Sequence, residues 1–144
     1  MGTPFSDIYE RAIFRFADYE FLKQAETVRE DVLEKFLISA KTDFQRICKS
    51  DLDDYDPEDK CFNQVLDDEE IEILALGIAF YWVSYKALHS ELLKNVLNSK
   101  DYYFYSPSNL LKEVQSLRAT LKDEFQSRMR LYSYNDSTID TLKA

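Results

Sequence analysis

The residues that could perform nucleophilic or acid–base chemistry are few and far apart in this chain. Among its 144 residues there is one histidine, His89, and there are two cysteines, Cys48 and Cys61, thirteen positions apart. Zinc sites and catalytic triads need such side chains in close, defined groups. The sequence therefore predicts no catalytic residue, no metal site and no cofactor. It predicts reduced thiols in an intracellular protein that is not an enzyme.

Carboxylates are plentiful, but their spacing favours structural roles over catalysis. In the acidic run 51–59, Tyr55 takes the fifth position and Asp56 the sixth, where an EF-hand needs a ligand and a glycine. We expect this run to be a solvated loop. Asp67 and Glu70 precede an apolar stretch with the spacing of a capping box, so we expect them to start a helix.

The glycine count and the net charge disfavour several classes of protein. Two glycines, Gly2 and Gly77, cannot supply the glycine-rich loop of a dinucleotide-binding fold or of a P-loop. We expect Gly77, which lies within an apolar run, to let a neighbouring helix pack closely. The 27 acidic and 18 basic residues give a formal charge of −9, which repels phosphate backbones and anionic lipid. Helices remain as the expected structure.

Apolar residues recur every three or four positions along most of the chain, the period of an amphipathic helix. This pattern predicts an all-α fold, a compact bundle of about four to five helices around a central apolar helix. The central helix is expected over 71–83, which is apolar on nearly every side and too short to cross a membrane. Thr3 and Pro4 have the cap-plus-proline pattern that starts a first helix, and Ser106 and Pro107 repeat it before a long C-terminal helix.

The last residues and the tyrosines point to contact surfaces. Residues 1–132 are predicted to form the helical domain, and residues 133–144 an extended C-terminal tail or arm. The chain has ten tyrosines, and tyrosine is enriched where one protein surface meets another. The candidate interface residues are Tyr102, Tyr103 and Tyr105 in one short segment, and Tyr132, Tyr134, Ile139 and Leu142 as anchors of the C-terminal arm.

Three segments in this order resemble a family of tailed-phage neck proteins. They are Thr3-Pro4-Phe5-Ser6-Asp7-Ile8-Tyr9, the stretch Asp67–Leu76 that runs into Tyr81-Trp82, and Phe104–Glu113. Together they are similar to the head–tail adaptors, also called connector or head-completion proteins, of long-tailed phages that infect Gram-positive hosts. The similarity covers residues 1–135.

The resemblance implies a structural virion protein, made in the host cytoplasm and located in the neck between capsid and tail. Its all-helical subunits would form a ring, typically of twelve copies, beneath the portal protein. The ring would extend the DNA channel, with DNA as passing cargo that is not read for sequence, and would present a platform for the next neck protein or the tail. A chain terminus would grip the portal, and no membrane is involved.

A second interpretation of the same features remains open. An acidic helical binding module, such as an inhibitor, an antitoxin or a nucleic-acid mimic, would also be small, acidic and rich in tyrosine. The adaptor interpretation predicts a monomer or weak oligomer that becomes a ring on contact with the portal. The binding-module interpretation predicts one tight partner at a fixed low stoichiometry and no ring.

Overall fold

The molecule is a helical bundle with a small β-sheet on one side. A computed structural model of the chain describes residues 2–16, 26–96 and 107–143. Within these ranges the elements follow in the order β1 (Thr3–Pro4), α1 (Phe5–Phe16), α2 (Glu26–Phe44), β2 (Tyr55–Asp56), β3 (Cys61–Phe62), α3 (Asp68–Val96) and α4 (Pro107–Lys143). Four helices therefore account for most of the described chain, and the predicted all-α class is confirmed.

Helix α3 is the centre of the bundle. The most extensive helix–helix contacts of the described residues each join α3 to one of the other three helices. Every residue from Ile73 to Ala79 is buried, because a helix that is enclosed by neighbours has no face left for polar side chains. The predicted central apolar helix is thus confirmed. None of the helices in the described ranges, α3 included, has a stretch long and apolar enough to cross a bilayer.

A reciprocal pair of hydrogen bonds fixes the start of α3. The Glu70 N–H donates to Asp67 Oδ1 at 2.8 Å, and the Asp67 N–H donates to Glu70 Oε1 at 3.1 Å. Each side chain satisfies a backbone donor that has no partner inside the helix. The predicted capping box is confirmed, and its acidic groups also lie at the positive end of the helix dipole.

Three helices meet at Gly77, in the middle of α3. A Cβ built on Gly77 would lie 2.5 Å from Ala40 Cβ on α2 and 3.0 Å from Phe125 Cζ on α4. Carbon atoms in ordinary contact are about 3.5–4.0 Å apart, so only glycine permits this approach of the helices. The prediction that Gly77 allows a neighbouring helix to pack closely is confirmed.

The N-terminal segment and the acidic run form a sheet that the sequence analysis did not predict. The strand order is β1-β3-β2, with both pairs antiparallel. Thr3 does not cap α1. Its hydroxyl accepts the Leu66 N–H at 2.8 Å, and its backbone pairs with Phe62, so the predicted cap is wrong. The run 51–59 is likewise not a plain loop, because Tyr55 and Asp56 pair with β3.

Helix α4 is longer than expected. It has 37 residues, which correspond to a length of about 55 Å at 1.5 Å per residue. The helix runs through residue 133 to Lys143, but the side chains beyond Tyr134 lie outside the described residues. The predicted tail or arm over 133–144 therefore stays a prediction.

Candidate docking groove and polar cluster

The structure places the predicted interface residues in three different settings. Tyr102, Tyr103 and Tyr105 lie outside the described residues, as do the side chains of Ile139 and Leu142 near the end of α4. Tyr134 is on the surface, with 68% of its side chain exposed, whereas Tyr132 is only 5% exposed. The seven predicted residues are therefore not shown to form one surface, and the two that can be compared face in different directions.

Tyr132 belongs to the core, which corrects its assignment as a free anchor of the arm. Its ring lies against Phe44, with the ring centroids 5.1 Å apart. On α4 the buried positions Leu121 and Phe125 are followed seven residues later by Tyr132, so that the apolar stripe continues by two more turns. A tyrosine at a buried position needs a partner for its hydroxyl.

That hydroxyl belongs to a group of side chains around Glu70, here called the polar cluster: Cys48, Ser50, Glu70 and Tyr132. Cys48 Sγ and the Tyr132 hydroxyl donate to Glu70 Oε2 at 2.9 and 3.2 Å, and Ser50 Oγ donates to Oε1 at 3.3 Å. The Tyr132 oxygen also accepts the Lys49 N–H at 3.0 Å. Glu70 is 3% exposed, and a buried carboxylate is tolerated when donors surround it in this way.

The ionisation of the polar cluster follows from burial and these hydrogen bonds. Burial raises the pKa of Glu70, but the donors from Cys48, the Asp67 N–H, Ser50 and Tyr132 outweigh it and hold the pKa below its ordinary value. Burial, reinforced by the Glu70 carboxylate, raises the pKa of the Cys48 thiol to about 12. Burial also raises the pKa of Tyr132. A nucleophilic cysteine needs the opposite environment, so the cluster holds structure together.

An open groove lies between the end of α2 and the C-terminal half of α4. Its volume is about 600 Å³. Three apolar side chains, Ile47, Met129 and the exposed Tyr134, contribute to its surface. The full lining, here called the docking groove, is Asp43, Arg46, Ile47, Gln126, Met129, Arg130, Ser133 and Tyr134. An apolar surface edged by polar groups is typical of a contact site for another protein.

The charges of the docking groove favour an acidic ligand. Arg46 and Arg130 are exposed, and within the described residues neither guanidinium forms a salt bridge. The Asp43 carboxylate accepts a hydrogen bond from the Tyr81 hydroxyl. Burial and this bond raise the pKa of Tyr81 to about 12. Arg130 Nη2 donates to Ser127 Oγ at 3.2 Å. The groove thus presents two arginines whose charge is not neutralised by a described carboxylate, and one carboxylate that already has a donor.

Further apolar side chains are exposed elsewhere on the surface. Phe14 on α1 is the extreme case, with 89% of its side chain exposed. Leu131 is exposed on α4 within one turn of Tyr134. The complete set among the described residues is Phe14, Val65, Tyr85, Leu88, Leu117, Leu131 and Tyr134. Apolar side chains that are scattered singly over a surface are common in proteins, so the docking groove, where several of them meet, is the stronger candidate for a contact site.

Of the residues that line the docking groove, the sequence had singled out only Tyr134, as a candidate interface residue. Its role at an interface stays a prediction. Arg46 and Ile47 carry no motif. The available signal was an arginine beside an apolar residue at the end of α2, repeated by Met129 and Arg130 on α4.

The described residues contain no group of three or more His, Cys, Asp or Glu side chains arranged to hold a metal ion. Both cysteines are free thiols. No protein-family model, no curated protein and no solved structure gives a significant match to this chain.

Proposed function

We propose that this protein is a structural virion protein, a head–tail adaptor that forms a ring between the portal and the next neck or tail protein and extends the DNA channel. The sequence resemblance suggests this role. The observation that supports it in the molecule is the docking groove, which is lined by the exposed Tyr134 and by two arginines that form no salt bridge among the described residues. An apolar groove edged by charged groups is typical of a contact site for another protein.

The form of α4 supports an assembling protein. A helix of about 55 Å is longer than the width of roughly 30 Å expected for a domain of this length. Its buried side chains among the described residues lie between Leu121 and Tyr132, which is a third of the helix. The exposed residues 115–120 of this helix offer surface for neighbouring subunits.

The charge distribution also suits a DNA channel. The 37 residues of α4 contain six basic and five acidic side chains, while the remainder of the chain contains twelve basic and twenty-two acidic ones. A ring that turned its acidic side inward would repel the DNA phosphates and let the duplex slide. This arrangement of the subunit within a ring belongs to the proposal.

Electron microscopy of the purified protein, mixed with the portal protein encoded in the same genome, tests the proposal. We expect a ring stacked on the portal, with the protein alone being a monomer or weak oligomer. Tyr134→Ala in the docking groove should weaken this association, and the matched control Phe14→Ala, at an exposed aromatic residue of α1, should not; both variants should leave the circular dichroism unchanged. Wild-type protein that never associates with the portal, or that forms a tight complex of fixed low stoichiometry with another protein, would favour an acidic binding module instead.

A further inference from the structure

We propose that the docking groove of one subunit binds the hairpin tip of a second copy of this chain. The hairpin tip is the turn 57–60 that joins β2 to β3. This inference rests on the proposed function, since it names the contact through which adaptor subunits would join. It concerns a surface that the sequence analysis treated as a solvated loop.

The hairpin tip is an exposed and ordered group of acidic residues. Pro57, Glu58 and Asp59 are all exposed. The Asp56 carboxylate accepts the N–H groups of Glu58 and Asp59 at 2.9 and 3.2 Å, and Lys60 takes a φ of 53° at the end of the turn. Because the turn is already held in one conformation, little conformational entropy is lost when it binds.

The hairpin tip and the docking groove are complementary in charge. Glu58 and Asp59 form no salt bridge within the described part of the chain, and the same is true of Arg46 and Arg130. A guanidinium and a carboxylate form strong, directional hydrogen bonds when they meet. Each surface thus supplies the two charges that the other lacks.

The apolar parts of the two surfaces also match. Pro57 is the only apolar side chain of the hairpin tip, and it stands directly before the two free carboxylates. Proline rings pack well on aromatic side chains in peptide-binding grooves. Tyr134, Ile47 and Met129 provide such a surface in the groove that the two arginines also line.

The hairpin tip cannot occupy the groove of its own chain. Lys60 Nζ bonds both carboxylate oxygens of Glu34, at 2.8 and 2.9 Å, and β3 is paired on both sides. Along α2, Glu34 lies ten residues before the last helical residue, Phe44, which corresponds to about 15 Å, and Arg46 lies beyond that end. The partner that we propose is a second copy, because every copy carries both surfaces. Since the two surfaces are different, the contact is head-to-tail, and such contacts generate rings or filaments rather than closed dimers.

NMR spectroscopy on variants that each carry one altered surface, alone and in mixtures, tests this contact. The groove variant R46E/R130E reverses the charge of the docking groove, and the tip variant E58K/D59K reverses the charge of the hairpin tip. The matched control is Lys122→Glu, a charge reversal at an exposed position of α4. We expect the isotope-labelled wild type to show concentration-dependent NMR shifts at both surfaces, weaker at high salt because exposed charges are screened. Each variant alone should self-associate at least about tenfold more weakly than the wild type. The control should self-associate as strongly as the wild type.

Mixing labelled and unlabelled chains gives the direction of the contact. With unlabelled wild type, the labelled groove variant should show shifts only at its tip, and the labelled tip variant only at its groove. The two variants mixed together should associate again, because glutamates then face lysines. Shifts at other surfaces, no concentration dependence in the wild type, or no recovery on mixing would overturn the proposal.

The portal experiment separates this inference from the proposed function. If the groove variant still forms a ring on the portal, the contact is wrong and the adaptor role stands. If the wild type shows the tip-to-groove contact but forms no ring on the portal, the contact stands and the adaptor role is wrong.

Discussion

The close packing of helices at Gly77 gives the sharpest prediction, the substitution Gly77→Ala. The new Cβ would lie 2.5 Å from Ala40 Cβ, about 1 Å inside normal carbon contact. Ala40 Cβ is fixed to the backbone of α2, so the clash is relieved only when a helix moves. Overpacking of this kind costs about 1–3 kcal/mol, against a gain of about 1 kcal/mol in helix propensity. We expect an overpacking cost in the upper part of that range, and therefore a net loss of about 1–2 kcal/mol in the free energy of unfolding.

Urea unfolding followed by far-UV circular dichroism measures this loss. For a domain of this size the melting temperature should fall by roughly 2–8 °C. The matched control is Ala40→Gly, which should lose about 1 kcal/mol through helix propensity. In the double variant the 2.5 Å contact is absent, so the two losses should be less than additive, with a coupling of about 1 kcal/mol or more.

An increase in stability would refute this reasoning. If Gly77→Ala stabilised the protein by about 1 kcal/mol, helix propensity alone would describe the site, and the helices could not be as close as the structure has them. Strict additivity of the Gly77 and Ala40 substitutions would refute it as well, since it would show that the two positions do not touch.

Three further predictions concern the polar cluster. Tyr132→Phe should lower the free energy of unfolding by about 1–2 kcal/mol, because the Lys49 N–H loses its acceptor and Glu70 loses a donor; no change in urea unfolding would contradict this. The pKa of Glu70 in the folded protein is below its ordinary value of 4.5. The contribution of Glu70 to the free energy of unfolding is therefore fully present above about pH 4.5, and it is lost as the pH falls through the folded pKa. A plot of melting temperature against pH should therefore be flatter in that acidic range for Glu70→Gln than for the wild type, and parallel curves would count against it. Cys48, with its pKa raised to about 12, should react with iodoacetamide at least about a hundredfold more slowly in the folded protein than in urea, and equal rates would show that the thiol is not held protonated.

Features that depend on neighbours in the sequence were predictable. The capping box needs only Asp67 and Glu70, three residues apart, and the central helix needs only an unbroken apolar run. Gly77 was interpretable for the same reason, because a glycine inside such a run has few roles other than close packing.

Features that depend on contacts between distant parts of the chain were not predictable from the sequence. Thr3 and Pro4 have the pattern of a helix start, but their pairing with β3, almost sixty residues away, decides that they form a strand. The docking groove likewise requires the end of α2 to lie beside α4. The burial of Tyr132 was not predicted, because the polar residues that follow it from Ser133 onward give no sign that this turn of α4 still faces the core.

The polar cluster connects the two segments that form the walls of the docking groove. One wall of the groove, Arg46 and Ile47, leads directly into Cys48, and the other wall contains Tyr132 between its lining residues. Glu70 binds both Cys48 and Tyr132, and the Tyr132 hydroxyl accepts the Lys49 N–H. A buried carboxylate thus sets the distance between the two walls. Because a rigid site loses less entropy on binding, loosening this cluster should weaken docking in the groove even though Tyr132 and Glu70 do not line it.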